Sequence, residues 1–136
     1  MSLDRFIEAQ RDSYATALSE IETGQKRSHW MWYIWPQIRG LGHSPMAQHY
    51  GIADAAEARA YLAHPTLGSR LVEISRAMLA HRGRAPEDIL GGIDALKLRS
   101  SATLFAAQPG ADPVFGEILE TFYDGPDGRT LALLDR

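Results

Sequence analysis

The chain contains no cysteine, which excludes a disulfide framework, a thiolate nucleophile and a zinc–thiolate centre. It also lacks a long hydrophobic run. The longest uninterrupted one, Trp30–Trp35, falls far short of the roughly 20 residues a membrane span needs. Its opening, MSLDRFIEAQ, carries acids where a secretory leader would carry a basic and then an apolar run. A soluble cytoplasmic protein without membrane association is therefore expected. Sustained two-residue alternation and Asn-Gly hairpin pairs are missing as well, and with them the main strand signals. There is no internal repeat and no low-complexity tract. The most local absence is one of charge. No acid lies between Glu22 and Asp54, although the chain has 17 acids in all.

That acid-free segment is rich in other things. It holds all three tryptophans (Trp30, Trp32, Trp35), three of the five histidines, and the cations Lys26, Arg27 and Arg39. A second acid-free segment, 95–111, carries Lys97 and Arg99, while residues 112–136 have six acids against Arg129 and Arg136. The net charge is −3 and the pI is near 5.9, a balance that argues against general nucleic-acid binding. A locally positive patch on an acidic protein fits a small anionic ligand better. Length and a 45% hydrophobic content suit one globular domain spanning 1–136.

Taken in order, residues 3–22 have helical apolar spacing through Leu3, Ile7, Tyr14, Leu18 and Ile21, with Asp4, Arg5, Glu8 and Asp12 toward solvent and Gly24 as the stop. Trp30–Trp35 reads as a short helix or a buried strand, ended by Pro36. Gly40, Gly42 and Pro45 make a structured loop. Asp54 with Glu57 predicts a helix start, and helices are expected at 67–82, 86–90, 94–107, 113–122 and after Asp127. The fold class expected is all-α: a compact, single-domain orthogonal bundle of about six helices around an irregular Trp-rich segment.

Standard catalytic motifs fail. Gly40-Leu41-Gly42 lacks the third glycine of a dinucleotide fingerprint, and Gly42–Met46 is no nucleophile elbow. No His pair has metal-site spacing, so neither a metal nor a cofactor is expected. What remains is the two acid-free segments. Lys26 and Arg27 either compensate a helix C-terminus or clamp a phosphate or carboxylate. Trp30 and Trp32 belong to the core or offer a stacking wall. Gln37 and Arg39 follow Pro36 in a loop, where polar groups often serve binding. Lys97, Ser100, Ser101 and Thr103 form a solvated face or a phosphate-accepting surface. His29 is the candidate general acid/base, with Asp94 as its carboxylate. His64 and His81, at expected helix ends, read as structural.

The strings GQKRSHWMWYIWPQIRGLGHS, HYGIADAAEARAYLAHPTLGSRL, DALKLRSSATLF and VFGEILETFYDGPDGRTLALL resemble the bacterial and fungal DUF1810 family from about Phe6 to Leu134. The family pattern would have phenylalanine at Trp35, serine at Ala47 and methionine at Ala102. The resemblance implies a mainly helical domain and no established activity. The calpastatin label carried by some members is rejected here, since calpastatins are disordered and repetitive and this chain is neither. The two most specific strings coincide with the two acid-free segments. The expectation is that both line one cleft for a phosphorylated or nucleotide-like ligand, with hydrolase or transferase chemistry as the class to test. A loose likeness in layout to helical ADP-ribose-processing domains adds that substrate. The competing expectation is a non-enzymatic interaction domain, with a protein partner or self-association.

Overall fold

The N-terminal amphipathic stretch forms two helices, not one. In the computed structural model, which describes residues 2–135, α1 (Asp4–Arg11) and α2 (Tyr14–Thr23) are separated at Asp12-Ser13. The break re-aims two inward-facing polar residues. Gln10 of α1 donates to the Tyr33 carbonyl (2.8 Å) and the Tyr61 hydroxyl (3.0 Å). Tyr14 of α2 instead donates to the Arg70 carbonyl and contacts the Glu73 carboxylate. Arg5 is also not a solvent-facing residue. It pairs with Glu57 at 2.9 Å and donates to the carbonyls of His49 and Gly51.

Gly24 ends α2 at φ +89°, its N–H donating to the carbonyls of Glu20 and Ile21. Glycine suits it because a side chain is strained in this left-handed conformation. The aromatic run then makes a single helical turn, α3 (Met31–Ile34). Past Pro36, Ile38 forms an isolated parallel bridge with Ile52, held by Arg39 N–H to the Ile52 carbonyl and Ile52 N–H to the Gln37 carbonyl, each 2.8 Å. Between them lies α4 (Pro45–Tyr50), capped by Ser44.

Asp54 and Asp127 cap helices as expected, whereas the helix expected to start at Asp94 begins at Gly92 with no side-chain cap. Asp54 caps α5 (Ala55–Ala63) and the Glu57 side chain returns to the Ala53 N–H. His64 caps α6 (Pro65–Leu79) by accepting from the N–H groups of Thr66 and Leu67. α7 (Pro86–Leu90), α8 (Gly92–Ala106), α9 (Val114–Phe122) and α10 (Gly128–Leu134) complete the chain, the last capped by Asp127. His81 has the expected structural role, its Nε2 lying 2.6 Å from the Ile21 carbonyl.

Ten helices are present among the described residues, seven of them at least seven residues long, against the six or so expected. The excess comes from the split at Asp12 and from short turns in the Trp-rich region. α8 is the organising element, packing against α5, α7, α9 and α10. Its second half is buried on nearly every face, as a helix central to the core must be. A relay of rings, Phe6–Tyr61–Phe105–Phe115, crosses that core at centroid spacings of 5.1, 5.4 and 5.8 Å. No described helix is long and apolar enough to cross a membrane. Arg136, counted above in the C-terminal charge, lies outside the described residues.

Candidate functional site

The two acid-free segments meet, and they meet around an acid. Beyond Gly24 the chain is strapped to α7 by the Lys26 N–H donating to the Ile89 carbonyl at 2.8 Å. The Lys26 ammonium donates to the Ser28 carbonyl (2.5 Å) and pairs with Asp94 Oδ2 (2.9 Å). Lys97, one helical turn along α8, takes the other oxygen at 3.1 Å. Each ammonium also lies over an indole: Lys26 over Trp30 at 4.9 Å and Lys97 over Trp32 at 3.8 Å. Side-chain exposure is only 7% for Lys26 and 18% for Asp94 and Lys97. Burial raises the Asp94 pKa, but hydrogen bonds and charge from both lysines prevail and hold the carboxyl below its usual value.

A second carboxylate shapes the same segment from behind. Glu20, on the last turn of α2, accepts from the N–H groups of Arg27 (2.8 Å) and Ser28 (3.0 Å), the Ser28 hydroxyl (2.6 Å) and Trp30 Nε1 (2.9 Å). Desolvation works against ionisation there, yet these donors bring its pKa down to about 2. Asp94 belongs to the expected site, whereas the sequence does not single out Glu20, which lies just outside a segment defined by having no acid.

In front of Lys97 runs a groove of about 280 Å³. Lys97, Arg99 and Ser100 of α8, Gln37 and Leu41 of the loop after α3, and Arg129 of α10 line it. Ile93 and Leu96, exposed at 75% and 65%, give it an apolar wall. Its one carboxylate, Asp127, caps α10 through Oδ2, accepting from the Thr130 N–H and hydroxyl. Arg99 donates to the carbonyls of Gly125 (2.9 Å) and Pro126 (3.2 Å), and Arg129 to that of Leu41 (3.4 Å). Among the described residues neither arginine has a carboxylate partner. Such a lining can receive a small polyanion and a flat apolar group together.

The expected site residues divide accordingly. Lys97, Ser100 and Gln37 line the groove, with Trp32 beneath Lys97 and Lys26 linked to it through Asp94. Trp30 is interior, 1% exposed, and tilted against Trp35 at 6.0 Å. Ser101 and Thr103 are interior too. Ser101 is fully buried with no partner for its hydroxyl, while Thr103 donates to the Arg99 carbonyl and accepts from the Asp127 N–H. Both are interior because this half of α8 is covered on nearly every face, although the two residues point to opposite sides of the helix. Arg39 donates to the Gly51 carbonyl and borders a different hollow, beside Asp54. Arg27 and His29 lie exposed on the turn before α3. The His29–Asp94 pair does not form, because both Asp94 oxygens are taken by lysines.

Leu41, Ile93, Leu96, Asp127 and Arg129 are the groove residues outside the expected set, while Arg99 lies within the Lys97–Thr103 stretch expected there. Arg129 sits in the most acidic segment, so block charge hides it. Ile93 and Leu96 do announce themselves as apolar side chains next to acid-free cations.

Comparison with known proteins agrees on the fold and is silent on activity. The family model described as a protein of unknown function (DUF1810) matches residues 1–134. The crystal structure of the conserved hypothetical protein Rv1873 from Mycobacterium tuberculosis is similar at 47% identity and a TM-score of 0.95, over 98% of this chain and 96% of that one. No curated protein matches.

Proposed function

The chain belongs to the DUF1810 family, and on that premise we propose that it is a binding domain for a small anionic ligand, phosphorylated or nucleotide-like. One observation carries the reading: Lys97, Arg99 and Arg129 line a single groove that contains one carboxylate, Asp127, an excess of cations over acids. Lys97 and the guanidinium forks of Arg99 and Arg129 supply charge-assisted donors. Leu41, Ile93 and Leu96 offer a surface for a base or ribose, and Gln37 offers an amide.

The reading is one of binding. For hydrolase or transferase chemistry the groove supplies no acid–base pair, since Asp94 is held ionised between two lysines. A ligand-borne water or a second protein would have to provide one. A second reading, docking of an acidic and apolar peptide segment, is favoured by the unusual exposure of Ile93 and Leu96.

The test is thermal denaturation in the presence of phosphate, nucleotides, NAD and ADP-ribose. A ligand at a hundred times its dissociation constant adds about 2.7 kcal/mol, a shift of several degrees. A selective shift that disappears in Arg129→Gln is the expected result. No shift from any compound, combined with concentration-dependent self-association, would transfer the groove to the second reading.

A further inference from the structure

A separate cavity of about 310 Å³ lies on another part of the molecule, between α5, α6 and the turn that follows α8. Its walls include Leu62 of α5, Val72 of α6 and Ala111, with Arg59, Gln108 and Asp112 as polar groups. Gly68 fixes its floor. A Cβ there would stand 2.1 Å from the Leu62 carbonyl oxygen, so α5 and α6 approach as closely as backbone allows. The hollow is thus built by the packing of two helices, which is how preformed ligand sites arise.

Three polar features give it a chemical preference. Gln108 is 5% exposed, and its side-chain N–H donates to the Leu104 carbonyl at 2.9 Å. Because a carbonyl only accepts, the amide nitrogen must face Leu104. That leaves Gln108 Oε1 without a donor among the described residues, on a side chain that lines the cavity. Asp112 is committed, its Oδ1 accepting from Arg76 Nη2 at 2.6 Å and from the Val114 N–H at 2.9 Å. Arg59, by contrast, is exposed and has no ion-pair partner among the described residues. With Asp112 offset by Arg76, the uncompensated charge is the single positive one of Arg59.

We infer that this cavity binds a small hydroxy acid with an aliphatic or aromatic body: Arg59 takes the carboxylate, Gln108 Oε1 accepts a hydrogen bond from the hydroxyl, and Leu62, Val72 and Ala111 enclose the carbon skeleton. A singly charged anion matches the net charge of the lining, which a zwitterionic amino acid does not. An apolar body matches the walls, which free phosphate does not. The inference does not depend on the groove at Lys97.

Calorimetric titration of the whole chain tests it, with 2-hydroxy-4-methylpentanoate and mandelate as probes and 4-methylpentanoate as the control lacking a hydroxyl. The expected result is saturable binding at one site per chain. Arg59→Gln, at an exposed position, should weaken it by at least about tenfold, and loss of the hydroxyl by about fivefold. Ala111→Leu, which fills the cavity from a partly exposed position, should abolish it, and Arg129→Gln should leave it unchanged. No saturable heat from either hydroxy acid overturns the inference. So does Arg59→Gln binding as wild type does, or the control binding as tightly as the hydroxy acid.

Discussion

Two clusters of cations share Lys97 and differ in what neutralises them. On one side Lys26 and Lys97 grip Asp94 over a floor of indoles, nearly out of water. On the other, Arg99 and Arg129 are held by backbone carbonyls alone and face an open groove. The first arrangement is ion-paired: each charge touches an opposite one, although two ammonium groups against one carboxylate leave an excess positive charge. The second is directional but unpaired, because carbonyl oxygens fix a guanidinium's position without cancelling its charge. Counting basic residues does not distinguish the two. The partners do, and the carboxylate that matters came from the position just before the acid-free run.

The sharpest break in that comparison is Asp94→Ala, which leaves two lysines facing each other on the ion-paired side. A loss of about 2–3 kcal/mol is expected, below the full cost of breaking a buried pair because the carboxylate is partly exposed. Urea denaturation reads it directly. An unchanged midpoint would mean that the ion-paired cluster is no more consequential than a surface pair.

Acid provides a second test. Glu20 and Asp94 both have depressed pKa values in the folded state. A group of this kind stabilises fully above its unfolded pKa, near 4, and loses that contribution as pH falls toward the folded value. Stability should therefore decline between about pH 5 and pH 2, and Glu20→Gln should flatten the decline. A wild-type profile already flat over that window would remove the role assigned to the Glu20 cage.

The smallest expected effect on stability is on the open side. Arg129→Gln should change it by no more than about 0.5 kcal/mol, as surface substitutions do, while removing the anion-dependent thermal shift. Lys97→Met belongs to both sides: it should cost about 1 kcal/mol and also remove that shift. If both variants keep the shift, the groove is not where anions bind.

The caps were the most legible part of the fold. Asp54, Asp127 and Gly24 mark helix ends in the sequence, and they mark them in the structure, because capping is a local hydrogen-bonding matter. The break at Asp12-Ser13 was not legible. Apolar spacing continues across it, and its cause lies in the tertiary partners of Gln10 and Tyr14. The expectation that the two basic segments meet rested on the family strings that coincide with them; composition alone did not require it, and it did not say which of their residues face the groove. Ser100, Ser101 and Thr103 are equivalent as a string, but only Ser100 lines the groove: Ser101 is buried in the core, and Thr103, on the same face as Ser100, is covered by the segment that carries Asp127. Arg129 was lost in the averaging of an acidic segment.

The tryptophans have a consequence beyond the site. Trp30 Nε1 donates to Glu20, Trp35 Nε1 donates to Ser75 Oγ at 3.0 Å, and Trp32 lies under Lys97. Three neighbouring indoles thus contact three different elements of the chain, α2, α6 and α8. Their emission should act as three clocks during refolding, one ticking early for the local contact with Glu20 and two ticking later as α6 and α8 close over the aromatic turn.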